Sequence, residues 1–125
     1  MKKDNVVSIW FGNLKSEKEL SEFVKEKYDE DGVFIPSFFM ETFGTGKYDP
    51  DFQEVFFEEN LSKEDLLEAS YAETFIDKID NISGNSVILL YDYCYTGQVL
   101  EAANFRFIGT FLLCKNGLEK KIKNA

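Results

Sequence analysis

Hydrophobic positions come in short blocks along the chain, and their spacing changes from block to block. In NVVSIWFG, Val7, Ile9 and Phe11 alternate with Val6, Ser8 and Trp10, which predicts a strand over 6–11 with apolar side chains on both faces. From Ser16 the spacing turns helical. Leu20, Phe23, Val24 and Tyr28 share a stripe, and Ser16 with Glu19 makes a capping box, so a helix over 16–27 is expected, with Gly32 ending that unit. Pro36 suits the first turn of a short helix over 37–43 carrying Phe38, Phe39, Met40 and Phe43, and Gly44 fits just past its end. FQEVFFE alternates like a strand over 52–58. Ser62 with Asp65, and Ser70 with Glu73, mark helix starts for 62–69 and 71–80, the latter with Phe75, Ile76 and Ile79 on one side. SVILLYDY, residues 86–93, is a continuous apolar run of strand length and belongs inside a sheet, while FRFIGTFLL, 105–113, is a last strand with Gly109 in its middle.

This order predicts an α+β fold, a single domain over 1–125 in which a mainly antiparallel sheet of four or five strands is packed by helices. The short, turn-prone connection around Gly97 suggests that 86–93 runs antiparallel to 105–113, and 115–125 reads as a flexible basic tail. Thirteen phenylalanines and six tyrosines supply a core that needs neither disulfides nor metals. No stretch approaches the roughly 20 apolar residues of a membrane span, and MKKDNVVSIWFGN lacks the apolar centre and cleavage site of a signal peptide, so a cytoplasmic protein without a membrane partner is expected. Cys94 and Cys114 lie in apolar runs and are expected as reduced, buried thiols; the glycosylation sequons at Asn60 and Asn81 then carry no weight.

Charge sharpens the picture. The formal net charge is −9, but residues 28–60 hold nine acids against the single Lys47, a local balance of −8. Such a body is a poor partner for nucleic acid or anionic lipid, which need clustered lysine and arginine, and a natural complement for a basic protein. Solubility alone is the bland explanation of an acidic surface.

Candidate chemistry is sparse. With no histidine in the chain, the commonest general base and most zinc sites are missing. The acidic turn Asp29-Glu30-Asp31-Gly32 fails as a calcium loop, because with Gly32 in the glycine slot the first position is Lys27 and the twelfth is Phe38. GTGK at 44–47 fails as a phosphate loop, with Glu41 where a glycine belongs and Tyr48 where a hydroxyl should follow the lysine. Neither a metal, a cofactor nor an enzymatic activity is assigned.

The ordered series VVSIWFGNLKSEKEL, YDEDGVFIPSFFMETFG, YDPDFQEVFF, SYAETFI, SVILLYDY and FIGTFLL resembles the immunity protein 22 family of bacterial polymorphic toxin systems, over about residues 6–113. The resemblance implies a small cytoplasmic protein that protects its producer by binding and blocking a cognate toxin domain, without saying which toxin. For a basic toxin, such as a nuclease, the candidate partner-binding residues are Asp29, Glu30, Asp31, Asp49 and Asp51 around Tyr28 and Tyr48: the acids to steer encounter, the tyrosines to anchor. Equally open is a reading in which the tyrosines face the core and the acids only cap turns. Two other functions stand beside immunity: an acidic binding module, such as a nucleic-acid mimic acting on a basic regulator, and an enzyme working through carboxylates.

Overall fold

The computed structural model describes residues 1–113. Its elements follow in the order β1 (Lys2–Gly12), α1 (Glu17–Val24), β2 (Lys27–Tyr28), β3 (Phe34–Ile35), α2 (Phe38–Phe43), β4 (Gln53–Phe57), α3 (Lys63–Leu66), β5 (Ser86–Tyr93), β6 (Glu101–Ala102) and β7 (Phe105–Leu112). Five strands form one antiparallel sheet in the order β4-β5-β1-β7-β6, and β2 and β3 form a separate hairpin. The fold is α+β, as the sequence predicts.

The two-faced apolar pattern of the first strand explains its place. β1 sits in the middle of the sheet, and Val7, Ile9 and Phe11 join one core while Trp10 joins the other. On the first face the core continues through Val87, Leu89 and Tyr91 to Leu66, Phe75, Ile76 and Ile79. On the second, Ile88, Leu90 and Phe105 pack beneath Leu20, Val24, Phe39 and Phe43 from α1 and α2. Trp10 is fully buried there, edge-on to Phe39 at 4.9 Å between ring centroids and to Tyr95 at 5.2 Å. The buried Ser8 donates to the Tyr93 carbonyl at 2.7 Å and accepts from the Tyr95 N–H at 3.0 Å, so it closes the sheet's polar seam at no loss of satisfied groups.

Several expectations change. The 86–93 strand is interior, but it pairs with β1 and β4, not with 105–113; β1 lies between them, and β5 and β7 therefore run in the same direction. The connection over 94–104 is long enough to cross β1, and only a central position buries both faces of that strand. The helix expected over 16–27 ends at Val24, where Lys25 turns extended, so Tyr28 belongs to β2 and not to a helical stripe. In place of a helix over 71–80 there are two 3-10 turns, Ala72–Thr74 and Ile76–Lys78. Ser70 does not start a helix, because its N–H and hydroxyl both bind the Glu54 carboxylate at 3.0 Å, and Tyr71 after it takes φ +60. The predicted 62–69 helix shrinks to α3, with the Ser62–Asp65 capping box in place. Gly109, at φ +153, follows Ile108, the extra residue of a bulge in β7. Cys94 is half-buried and free; Cys114 and the tail from 115 lie outside the described residues.

Candidate functional site

The β2–β3 hairpin carries the acidic turn, and local chemistry explains its shape. Asp29 Oδ1 accepts the N–H groups of Asp31 at 2.8 Å and Val33 at 2.9 Å, and the Gly32 N–H returns to the Asp29 carbonyl at 3.0 Å. Gly32 takes φ +80, which a glycine enters without a Cβ penalty. Asp29 is therefore engaged as the organiser of the loop, whereas Glu30 and Asp31 project into solvent. Asp49 does the same job a few residues on: its Oδ1 accepts the Asp51 N–H at 2.9 Å and caps the 3-10 turn Pro50–Phe52.

The two tyrosines differ. Tyr28 is 59% exposed and stands edge-on to Phe34, 5.8 Å between centroids. Tyr48 is largely enclosed, with its ring against Phe39 and Tyr93 and its hydroxyl donating to the Gln53 side-chain oxygen. Burial, reinforced by the nearby Glu26 charge and by Tyr93, holds the Tyr48 phenol well above its ordinary range. Tyr28, Tyr48 and Asp49 come together on the wall of a cavity of about 650 Å³, which Glu26, Phe52 and Tyr93 also line. Asp29, Glu30, Asp31 and Asp51 lie outside that wall. The Tyr93 hydroxyl donates to the Thr45 carbonyl, and burial pushes its phenol up to about 12.

A spread of exposed apolar side chains accompanies the acids: Val33, Ile35, Phe38 and Phe52 are 58%, 40%, 62% and 44% exposed. None was singled out from the sequence as a contact residue, yet Phe38 was detectable, because on a helix whose buried face is Phe39, Met40 and Phe43 a residue at 38 turns away from that face. Two lysines lie over aromatic rings beside them, Lys47 over Phe34 at 4.7 Å and Lys27 over Phe38 at 5.9 Å. Of the nine acids in 28–60, all but Glu54 are exposed. Among the described residues the two ion pairs, Lys27–Glu22 at 4.0 Å and Lys63–Asp77 at 2.7 Å, involve none of them. That charge faces outward without an internal counterpart among the described residues. No three metal-capable side chains converge among the described residues, and no described helix is long and apolar enough to cross a membrane.

The chain is an α+β fold in which a sheet buried on both faces carries an acidic, aromatic hairpin and loop at one side. The family model described as Immunity protein 22 matches residues 7–112, and the chain belongs to that family. It is an immunity protein by family, which implies a toxin as partner. No curated protein and no solved structure matches the chain.

Proposed function

We propose that this protein neutralises a cognate toxin domain by stoichiometric binding, as a non-enzymatic inhibitor in the producer's cytoplasm. The supporting observation is the segment 28–52, where exposed apolar groups alternate with acids that have no ion-pair partner among the described residues. Acids at a rim speed encounter with a basic partner and discriminate against acidic ones, while desolvated aromatic groups slow dissociation. In this reading Glu30, Asp31 and Asp51 steer, Asp29 and Asp49 hold the two loops that present them, Tyr28 anchors, and Tyr48 shapes the cavity beside it. If the toxin is a nuclease, the acids occupy the cleft that otherwise receives phosphates.

Co-expression with the toxin domain encoded beside it tests the reading. Protection of cells, and a purified pair that titrates to one-to-one, is the expected outcome. Loss of viability on co-expression, or no complex at micromolar concentrations, removes it.

A further inference from the structure

The five-stranded sheet ends on β4, whose outer edge pairs with no strand among the described residues. β4 pairs with β5 in unbroken register from Gln53↔Leu90 to Phe57↔Ser86, and the Glu58 N–H continues the ladder to the Asn85 carbonyl at 2.9 Å. Bonded positions alternate in an antiparallel ladder, so Glu54, Phe56 and Glu58 turn their backbone groups toward β5, and Val55 and Phe57 turn theirs outward. Among the described residues no strand meets them there. Sheet edges are commonly blunted by a bulge, a proline, a lysine or a covering element. The opposite flank has two such devices, the bulge at Ile108 and the short strand β6. β4 has no bulge, no proline and no lysine.

Along this edge runs a groove of about 550 Å³ between α1 and β4, walled by two acids, Glu22 and Glu26, one base, Lys25, and the apolar Val24 and Val55. Glu26 also lines the cavity next to Tyr28 and Tyr48, and its Oε1 is buried without a hydrogen-bond partner. Groove and cavity share Glu26 and Pro50, so the open edge continues the surface proposed above for the toxin.

We infer that the β4 edge receives an extended strand of the toxin domain, basic in its side chains, which adds a sixth strand to the sheet. The inference rests on the toxin-binding reading and names where that binding takes place. Main-chain bonds to Val55 and Phe57 supply affinity, and alternate side chains of the incoming strand reach Glu22 and Glu26 across the groove or Glu54 and Glu58 on the other face. Charge disfavours a second copy of the chain in the register that pairs the whole of β4 with itself. Two β4 strands paired antiparallel about Phe56 set Glu54 opposite Glu58 of the second copy, twice over, and like charges directly opposite are destabilising.

Residue-resolved amide hydrogen exchange, on the free protein and on its complex with the purified toxin domain, tests the inference. In the free protein Glu54 and Phe56 are expected to exchange slowly and Val55 and Phe57 fast; in the complex Val55 and Phe57 slow by at least about tenfold. A complex that forms with Val55 and Phe57 unchanged overturns the strand addition and leaves toxin binding standing. Slow exchange at both in the free protein, together with a doubled mass, assigns the edge to a second copy and also overturns it. Absence of any complex defeats the binding reading and this inference together. A companion variant, Val55→Pro, removes an outward N–H at a position where an edge strand tolerates proline. It is expected to weaken the complex at least about tenfold with slow exchange at Phe56 retained; unchanged affinity in the folded variant overturns the inference, and if the variant unfolds the exchange result decides.

Discussion

Asp29 holds its loop through two accepted N–H bonds and also adds a charge to the field around it, and amide substitutions separate the two effects. Replacing Asp29, Glu30 and Asp31 together by Asn, Gln and Asn removes three charges, taking the formal net charge from −9 to −6, yet leaves an Oδ1 at position 29 to accept the Asp31 and Val33 N–H groups. Coulomb's law gives about 0.4 kcal/mol for one opposed pair of charges 10 Å apart in water. Three such pairs amount to about 1.2 kcal/mol at low salt, or an association about sevenfold slower. At physiological salt the Debye length of about 8 Å trims this to about twofold. Stopped-flow association with the toxin domain at two salt concentrations reads both numbers, with dissociation expected to stay constant. Asp29→Ala behaves differently, because it discards two accepted bonds and loosens the hairpin by about 1–2 kcal/mol, seen as faster amide exchange at Asp31 and Val33. Equal association rates for the amide triple and the native protein at low salt would remove the acidic turn from the interface.

Other outcomes follow from the same geometry. Tyr28→Ala and Phe38→Ala, both at exposed side chains, should leave the melting temperature within about 2 °C and speed toxin dissociation by at least about tenfold each, measured by surface plasmon resonance. Gly12→Ala should destabilise by about 1–3 kcal/mol in urea titration, because its Cβ would sit 2.4 Å from the Phe105 ring in a packed core. Alkaline titration should also weaken the fold. The Tyr93 phenol is raised to about 12 in the folded state against 10 in the unfolded chain, so its contribution is full below pH 10 and is lost as pH rises toward 12, at up to about 1.4 kcal/mol per pH unit. Urea midpoints from pH 9 to 11.5 check this, and Tyr93→Phe should flatten the decline.

Local rules written into short stretches were readable in the sequence. Ser16 and Ser62 cap α1 and α3, Gly44 takes the left-handed conformation at the end of α2, and the unbroken apolar run at 86–93 is an interior strand. Readings that depended on distant partners were not. Ser70 has the residue spacing of a helix start, and only the arrival of Glu54 from β4 turns it to another use. The pairing of β5 with β1 in place of β7 is likewise a property of the whole sheet, since a short connection and a crossing connection look alike over residues 94–104. The site divides in the same way. The acid run and its glycine mark a turn in any context, whereas the cavity that gathers Glu26, Tyr48 and Tyr93 exists only because separate stretches converge there.

The central position of β1 sets a timetable for making the protein. The strand is synthesised before its two sheet neighbours, β5 and β7, whose residues lie about 75 to 105 positions later in the chain. At roughly 5–20 residues per second, β1 waits about 5–20 s on the ribosome before β7 has been made, with Trp10, Ile9 and Phe11 lacking their sheet partners. Pairing across such separations is also intrinsically slow, because the loop must close before the contacts reward it. In the toxin-binding reading proposed above, protection lags translation of β1 by at least that interval.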